Sequence, residues 1–140
     1  MMKIRKIIET CIYSSDLGSM KKFYVDTLAL PVVDEEEGKF LFLQAGTSML
    51  LIFNPARTSE SNEKLPTHGA ETPPARIHFA MEIEAGDYER WKELLARNNT
   101  TLEKEVSWNE GKAKSLYFRD PSGNLVELIT PGEWRWKANI

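Results

Sequence analysis

Three ionisable residues stand in the middle of apolar runs: Glu9 in IIETCIYS, His78 in RIHFAMEIE and Glu127 in NLVELIT. In an extended chain, alternate residues face opposite sides. Ile77, Phe79, Met81 and Ile83 then form one apolar face, and His78, Ala80 and Glu82 the other. Likewise Val126 and Leu128 oppose Leu125, Glu127 and Ile129, while Ile8, Thr10 and Ile12 oppose Ile7, Glu9, Cys11 and Tyr13. A carboxylate taken out of water needs a partner or a metal ion. Two carboxylates and one imidazole suit a divalent ion such as Mn, Ni, Zn or Fe, whose charge the two Glu residues balance. The same alternation arises where one face of a sheet is open to water and the three residues are simply solvated. They are far apart in sequence, so only a fold can gather them.

The elements that would position them follow a repeated plan. Residues 7–14 read as a strand, rich in β-branched and aromatic types. Ser15 or Asp16 can cap a following helix, on which Leu17, Met20, Phe23, Tyr24 and Leu28 recur at helical spacing. Leu30-Pro31 stops it, because a residue before proline avoids the helical region. The runs PVVDEE, KFLFLQ and SMLLIFNP read as three strands, the last with Ser48, Leu50, Ile52 and Asn54 as the face matching that of Glu9. The second half repeats this order: RIHFAMEIE, a helix in AGDYERWKELLARNN, then TLEKEVSW, KAKSLYFRD and NLVELIT. Asp120-Pro121-Ser122-Gly123 is turn chemistry between the last two strands. The expected fold is α+β, with two tandem βαβββ modules over residues 1–54 and 76–131 and a tail over 132–140. The linker, residues 55–75, holds Pro55, Pro66, Pro73 and Pro74 and no apolar stripe, and it is expected to be the most mobile part.

With 140 residues, 41% of them hydrophobic and 28% charged, the chain is about one domain long and can build a core without staples. A formal net charge of −3 excludes a strongly basic nucleic-acid-coating protein. Cys11 is the single cysteine, so no disulfide can form within the chain. No run reaches the ~20 apolar residues of a membrane span, and Glu9 and Thr10 break up the only candidate leader. These features imply a soluble, cytoplasmic protein.

The string IIETCIYSSDLGSMKKFYVDTLALPVV resembles the opening module of the glyoxalase/bleomycin resistance/extradiol dioxygenase (vicinal oxygen chelate) superfamily. The residues that carry this are Ser15-Asp16-Leu17, the pair Phe23-Tyr24, and Leu28. YFRDPSGNLVELITP is similar to that family's final hairpin, and THGAETPPARIHFAMEI to its linker and the first strand of its second module. The resemblance implies mixed sheets curled around a cavity, with helices outside. It also implies four metal-ligand positions, which carry over to Glu9, Leu50, His78 and Glu127. His78 and Glu127 match family ligands, Glu9 stands where many members have His, and Leu50 cannot ligate. One His with two Glu argues against iron-dependent ring cleavage. It is less at odds with lyase or isomerase chemistry, in which Glu127 or Glu9 would shuttle a proton.

Tyr117 is a further catalytic candidate, expected to share the cavity with Glu127 if the hairpin carries a bulge at Gly123. Arg119 is a candidate for binding an anionic group, or else a solvated edge residue. His68 in the linker could close over a ligand, Trp134 and Trp136 could cap the cavity or an interface, and Cys11 could be a soft ligand or an inert thiol. Phe23, Tyr24 and Trp91 are expected in the core. The implied function is a metal-dependent lyase, isomerase or dioxygenase acting on a small oxygen-rich or glutathione-like molecule. The alternative is a metal-free protein that sequesters a small molecule or antibiotic. A third, fosfomycin inactivation, would call for a phosphonate-binding set of Lys, Arg and Ser, of which Arg119 alone is evident. A homodimer is expected, since two-fold dimers are the commonest assembly, and neither nucleic acid nor membrane is an expected partner.

Overall fold

A computed structural model of the chain describes residue 7, residues 9–58 and residues 76–132. The chain divides into two compact units, Met1–Ala75 and Arg76–Ile140. Each is a four-stranded mixed sheet with a helix following its first strand, so the βαβββ plan occurs twice. Of the expected linker only residues 55–58 are described; they form one helical turn, α2 (Pro55–Thr58). His68, Trp134 and Trp136 lie outside the described residues, as do the rest of the linker and all of the tail after residue 132.

In the first unit β1 (Glu9–Tyr13) leads into α1 (Leu17–Lys21), followed by β2 (Val32–Glu36), β3 (Phe40–Ala45) and β4 (Ser48–Phe53). The sheet order is β1-β4-β3-β2, with β1 parallel to β4 and the other pairs antiparallel. Asp16 caps α1: its carboxylate accepts from the Ser19 backbone N–H at 2.9 Å and from the Ser19 hydroxyl at 2.7 Å. The helix continues through Lys22–Thr27 with π-type turns. It ends before Pro31, where Ala29 takes a left-handed φ of 59°. Tyr24 and Met20 are fully buried and Leu28 nearly so. Phe23 stays half-buried, its ring edge-on to Tyr24 at 5.0 Å.

Strand pairing corrects the expected face of β4. Leu50 pairs with Thr10 and with Leu43, and Ile52 pairs with Ile12 and with Leu41. Paired residues point to the same side. Leu50 therefore belongs to the apolar face with Ile12, Leu41, Leu43 and Ile52, all of them buried. Glu9 pairs instead with Met49, and Cys11 with Leu51. The reason is parity: the register between two parallel strands is a tertiary property, and a one-residue shift reverses which side every side chain faces.

In the second unit β5 (His78–Glu82) leads into α3 (Tyr88–Arg97), then β6 (Lys104–Trp108), β7 (Ala113–Arg119) and β8 (Leu125–Ile129). The order β5-β8-β7-β6 repeats that of the first sheet, again with the first and last strands parallel. On α3, Tyr88 and Leu95 are buried and Trp91 is half-buried, so the expected core role of Trp91 is only partly met. Its last residues give way to Asn99 at a φ of 57°. Two contacts tie α3 to β6: the Tyr88 hydroxyl donates to Glu105 at 3.1 Å, and Lys92 pairs with Glu105 at 2.8 Å. Loss of solvent and the Glu105 carboxylate push the Tyr88 phenol up to about 12.

The β7–β8 loop is held from within. Asp120 accepts from the backbone N–H of Ser122 and of Asn124, both at 2.9 Å, and from the Asn124 side-chain amide at 2.8 Å. The amide oxygen of Asn124 then accepts from Ile77 N–H at 3.0 Å, fixing the start of β5 against the loop. Gly123 has a φ of +84°, and a Cβ there would meet the Arg76 side chain at 3.0 Å. Both Asn124 and Asp120 are buried, so removing the amide strands partners on two sides. Asn124→Ala is expected to lower stability by about 2–4 kcal/mol, on the scale of one to two buried groups left unsatisfied. Urea unfolding followed by circular dichroism checks this.

Candidate functional site

The second sheet brings His78 and Glu127 together. His78 pairs across the ladder with Leu125, and Glu127 lies two residues further along the same face. His78 Nε2 stands 3.3 Å from Glu127 Oε2. The imidazole is about half exposed, whereas the Glu127 side chain is 7% exposed.

Hydrogen bonding fixes what this pair can do. His78 Nδ1 lies 3.1 Å from the Leu125 carbonyl oxygen. A carbonyl only accepts, so Nδ1 carries the proton of that bond. In the neutral ring Nε2 then presents a lone pair to a carboxylate oxygen, and a bridging proton or a cation between these two acceptors relieves their repulsion. The other oxygen of Glu127 is already engaged: Oε1 accepts from the fully buried Ser115 hydroxyl at 2.5 Å. Ser115 Oγ in turn accepts from the indole Nε1 of Trp108 at 2.8 Å. Among the described residues no buried side-chain nitrogen or oxygen lacks a hydrogen-bond partner.

Tyr117 pairs directly with Glu127 across the β7–β8 ladder, and its ring stacks near that of His78, with centroids 6.1 Å apart. No bulge is needed. Arg119 pairs with Leu125 and Ser115 with Ile129 in unbroken register, and the five residues 120–124 close the hairpin. Arg119 shares this face, but its guanidinium is committed. It donates to Glu103 at 2.8 and 3.0 Å and to the Gly123 carbonyl at 3.1 Å. That is the solvated-edge alternative rather than an anion site.

Glu9 lies in the first unit, exposed on β1 and paired in register with Met49. Two residues beyond it on the same face, Cys11 pairs with Leu51. The spacing mirrors the second unit, where Ala80, two beyond His78, pairs with Glu127. Leu51, not Leu50, thus occupies in the first unit the place that Glu127 holds in the second, and neither leucine can bind an ion. Among the described residues no group of three or more His, Cys, Asp or Glu is assembled within either unit. A cleft of about 670 Å³ in the first unit, lined by Asp16, Lys21 and Glu35 among others, contains none of the candidate residues. Lys21 and Glu35, both among its lining residues, form an exposed ion pair at 2.7 Å.

A sequence profile of the Glyoxalase/Bleomycin resistance protein/Dioxygenase superfamily matches residues 6–128. The chain belongs to this superfamily. It is 27% identical over 129 residues to metallothiol transferase FosB of Staphylococcus epidermidis, covering 92% of this chain and 84% of that protein. It is 28% identical over 116 residues to metallothiol transferase FosB of Staphylococcus saprophyticus, covering 83% and 70%. A crystal structure of lactoylglutathione lyase from Agrobacterium tumefaciens superposes with a TM-score of 0.83 at 31% identity, covering 93% of this chain and 96% of that one.

Ser115 and Trp108 escaped the sequence reading. Alternation along KAKSLYFRD does place Ser115 on the face of Tyr117, and a serine inside an apolar strand is a signal. Trp108 gives none, because only the β6–β7 register carries it to Ser115.

Cys11 is a half-buried thiol on the face of Glu9. Partial burial, and then the negative charge of Glu9, push its thiol above the ordinary cysteine range. The neutral thiol therefore predominates at neutral pH. Alkylation by iodoacetamide is expected to accelerate only above the pH at which an ordinary cysteine does. Glu9→Gln should shift that midpoint downward by removing the charge that opposes the thiolate; a midpoint unmoved by the substitution contradicts this account.

Proposed function

We propose that the chain is a metal-dependent enzyme of the superfamily, acting as a lyase, isomerase or transferase on a small oxygen-bearing molecule that includes a thiol or glutathione-like group. The observation that carries this is the His78–Glu127 pair: two acceptors 3.3 Å apart, each anchored from behind by a separate hydrogen bond. Such backing orients ligands and sets the ring tautomer. The donor set suits Mn, Ni, Zn or Fe. His78 and Glu127 are the proposed ligands, and Glu9 of the first unit is retained as the third candidate on the chemistry of its carboxylate. The names of the relatives support the chemical class, since one is a metallothiol transferase and another a lactoylglutathione lyase.

A bound divalent ion would supply Lewis-acid polarisation of a substrate oxygen. The chain's own groups do the rest. Tyr117, which pairs with Glu127 across the ladder, is the proposed hydrogen-bonding partner of a substrate oxygen. A carboxylate, Glu127 or the exposed Glu9, is the proposed proton shuttle. The second reading, a metal-free binding protein, draws on Leu51, an apolar residue at the first unit's counterpart of Glu127.

Calorimetric titration of Mn, Ni, Zn and Fe(II) into chelator-treated protein separates the two. Wild type is expected to bind at least one ion, and His78→Ala to weaken it by more than the roughly tenfold to hundredfold cost of disturbing a supporting contact. Wild type binding no ion better than His78→Ala would leave the binding-protein reading. We also propose a two-fold homodimer. Light scattering is expected to give about twice the 16.0 kDa chain mass, and a monomer mass at micromolar concentration would reject it.

A further inference from the structure

We infer that Ser115 is a positioning residue that fixes the Glu127 carboxylate with a single oxygen free, and that Trp108 sets the direction of the Ser115 hydroxyl. The inference rests on the metal reading above for its purpose, but its geometry stands independently. Ser115 is fully buried and has one proton to give. Its oxygen already accepts from the Trp108 indole N–H, a group that can only donate. The hydroxyl proton is therefore directed to the remaining neighbour, Glu127 Oε1, at 2.5 Å. Both bonds of the chain point toward the carboxylate, so its charge is stabilised from one side.

The consequence is selective. With Oε1 engaged, Oε2 alone faces His78 Nε2. Glu127 would then offer an ion one oxygen, and the carboxylate could not swing to chelate through both. The sheet makes this arrangement rigid. Ser115 pairs with Ile129 and Val106, one step along the shared face from Glu127 and Tyr117. Trp108 pairs with Ala113, two residues before Ser115 on the same face of β7.

The first readout uses metal-free protein. In proton–nitrogen spectra, the Trp108 indole signal, identified by its loss in Trp108→Phe, is expected to shift and to exchange faster with solvent in Ser115→Ala. It is expected to move in Glu127→Gln as well, because the carboxylate charge polarises both bonds. A signal unchanged in both variants overturns the proposal. The second readout is calorimetric titration with Mn or Zn alone. Ser115→Ala is expected to bind roughly tenfold to hundredfold more weakly than wild type. Trp108→Phe, altered at a half-buried position, should bind more weakly than wild type but by a smaller factor. Affinity in both variants equal to wild type overturns the proposal. If wild type itself binds neither ion, the metal reading fails, and the indole signal alone then decides whether Ser115 positions Glu127.

Discussion

A carboxylate in the middle of a sheet, shielded from water, organises the second unit. Glu127 is 5% exposed, and an ionised group so placed is tolerated only when hydrogen bonds or opposite charge replace the lost solvation. Each element around it answers that demand. β7 brings the Ser115 hydroxyl, β6 brings the indole that orients the hydroxyl, and β5 brings the imidazole of His78. The β7–β8 loop, closed by Asp120 and Asn124, ties Ile77 in place so that His78 starts its strand at the right level. The face of the sheet that would otherwise be a plain apolar surface becomes an ordered polar one.

The duplicated βαβββ plan explains why the two units differ so much in chemistry while sharing a topology. Parallel pairing of the first and last strands places a residue of the first strand one step from a residue of the last. In the second unit those positions hold His78 and Glu127; in the first they hold Glu9 and Leu51. One copy supplies an acceptor pair in which each member is already anchored by a hydrogen bond. The other supplies a single exposed carboxylate with apolar neighbours, Met49 and Leu51. Membership of the chain in a superfamily whose name joins glyoxalase, bleomycin resistance protein and dioxygenase is consistent with a frame whose function rests on which residues occupy these few strand positions.

Sequence alone determined the elements, because their signals are local. The alternation in RIHFAMEIE, the Asp16 cap before an amphipathic run, and the Pro-Gly turn chemistry at 121–123 each depend on residues within a few positions of one another. The faces of β5 and β8 were legible for the same reason: within one strand the period of two is fixed by backbone geometry. The two-module order followed from those elements taken in sequence.

Register between strands has no such local signal, and it was decided by the tertiary structure. Whether Leu50 or Leu51 sits beside Cys11 depends on how β1 and β4 slide together while burying Ile12, Leu41, Leu43 and Ile52. The same holds for the meeting of Trp108 with Ser115, and for Arg119, which alternation leaves open to a ligand but which pairs with Glu103 on the chain just before β6. Side chains distant in sequence are brought within bonding distance only by the packing of whole sheets, since the free energy that selects a register is summed over every buried pair rather than written at any single residue.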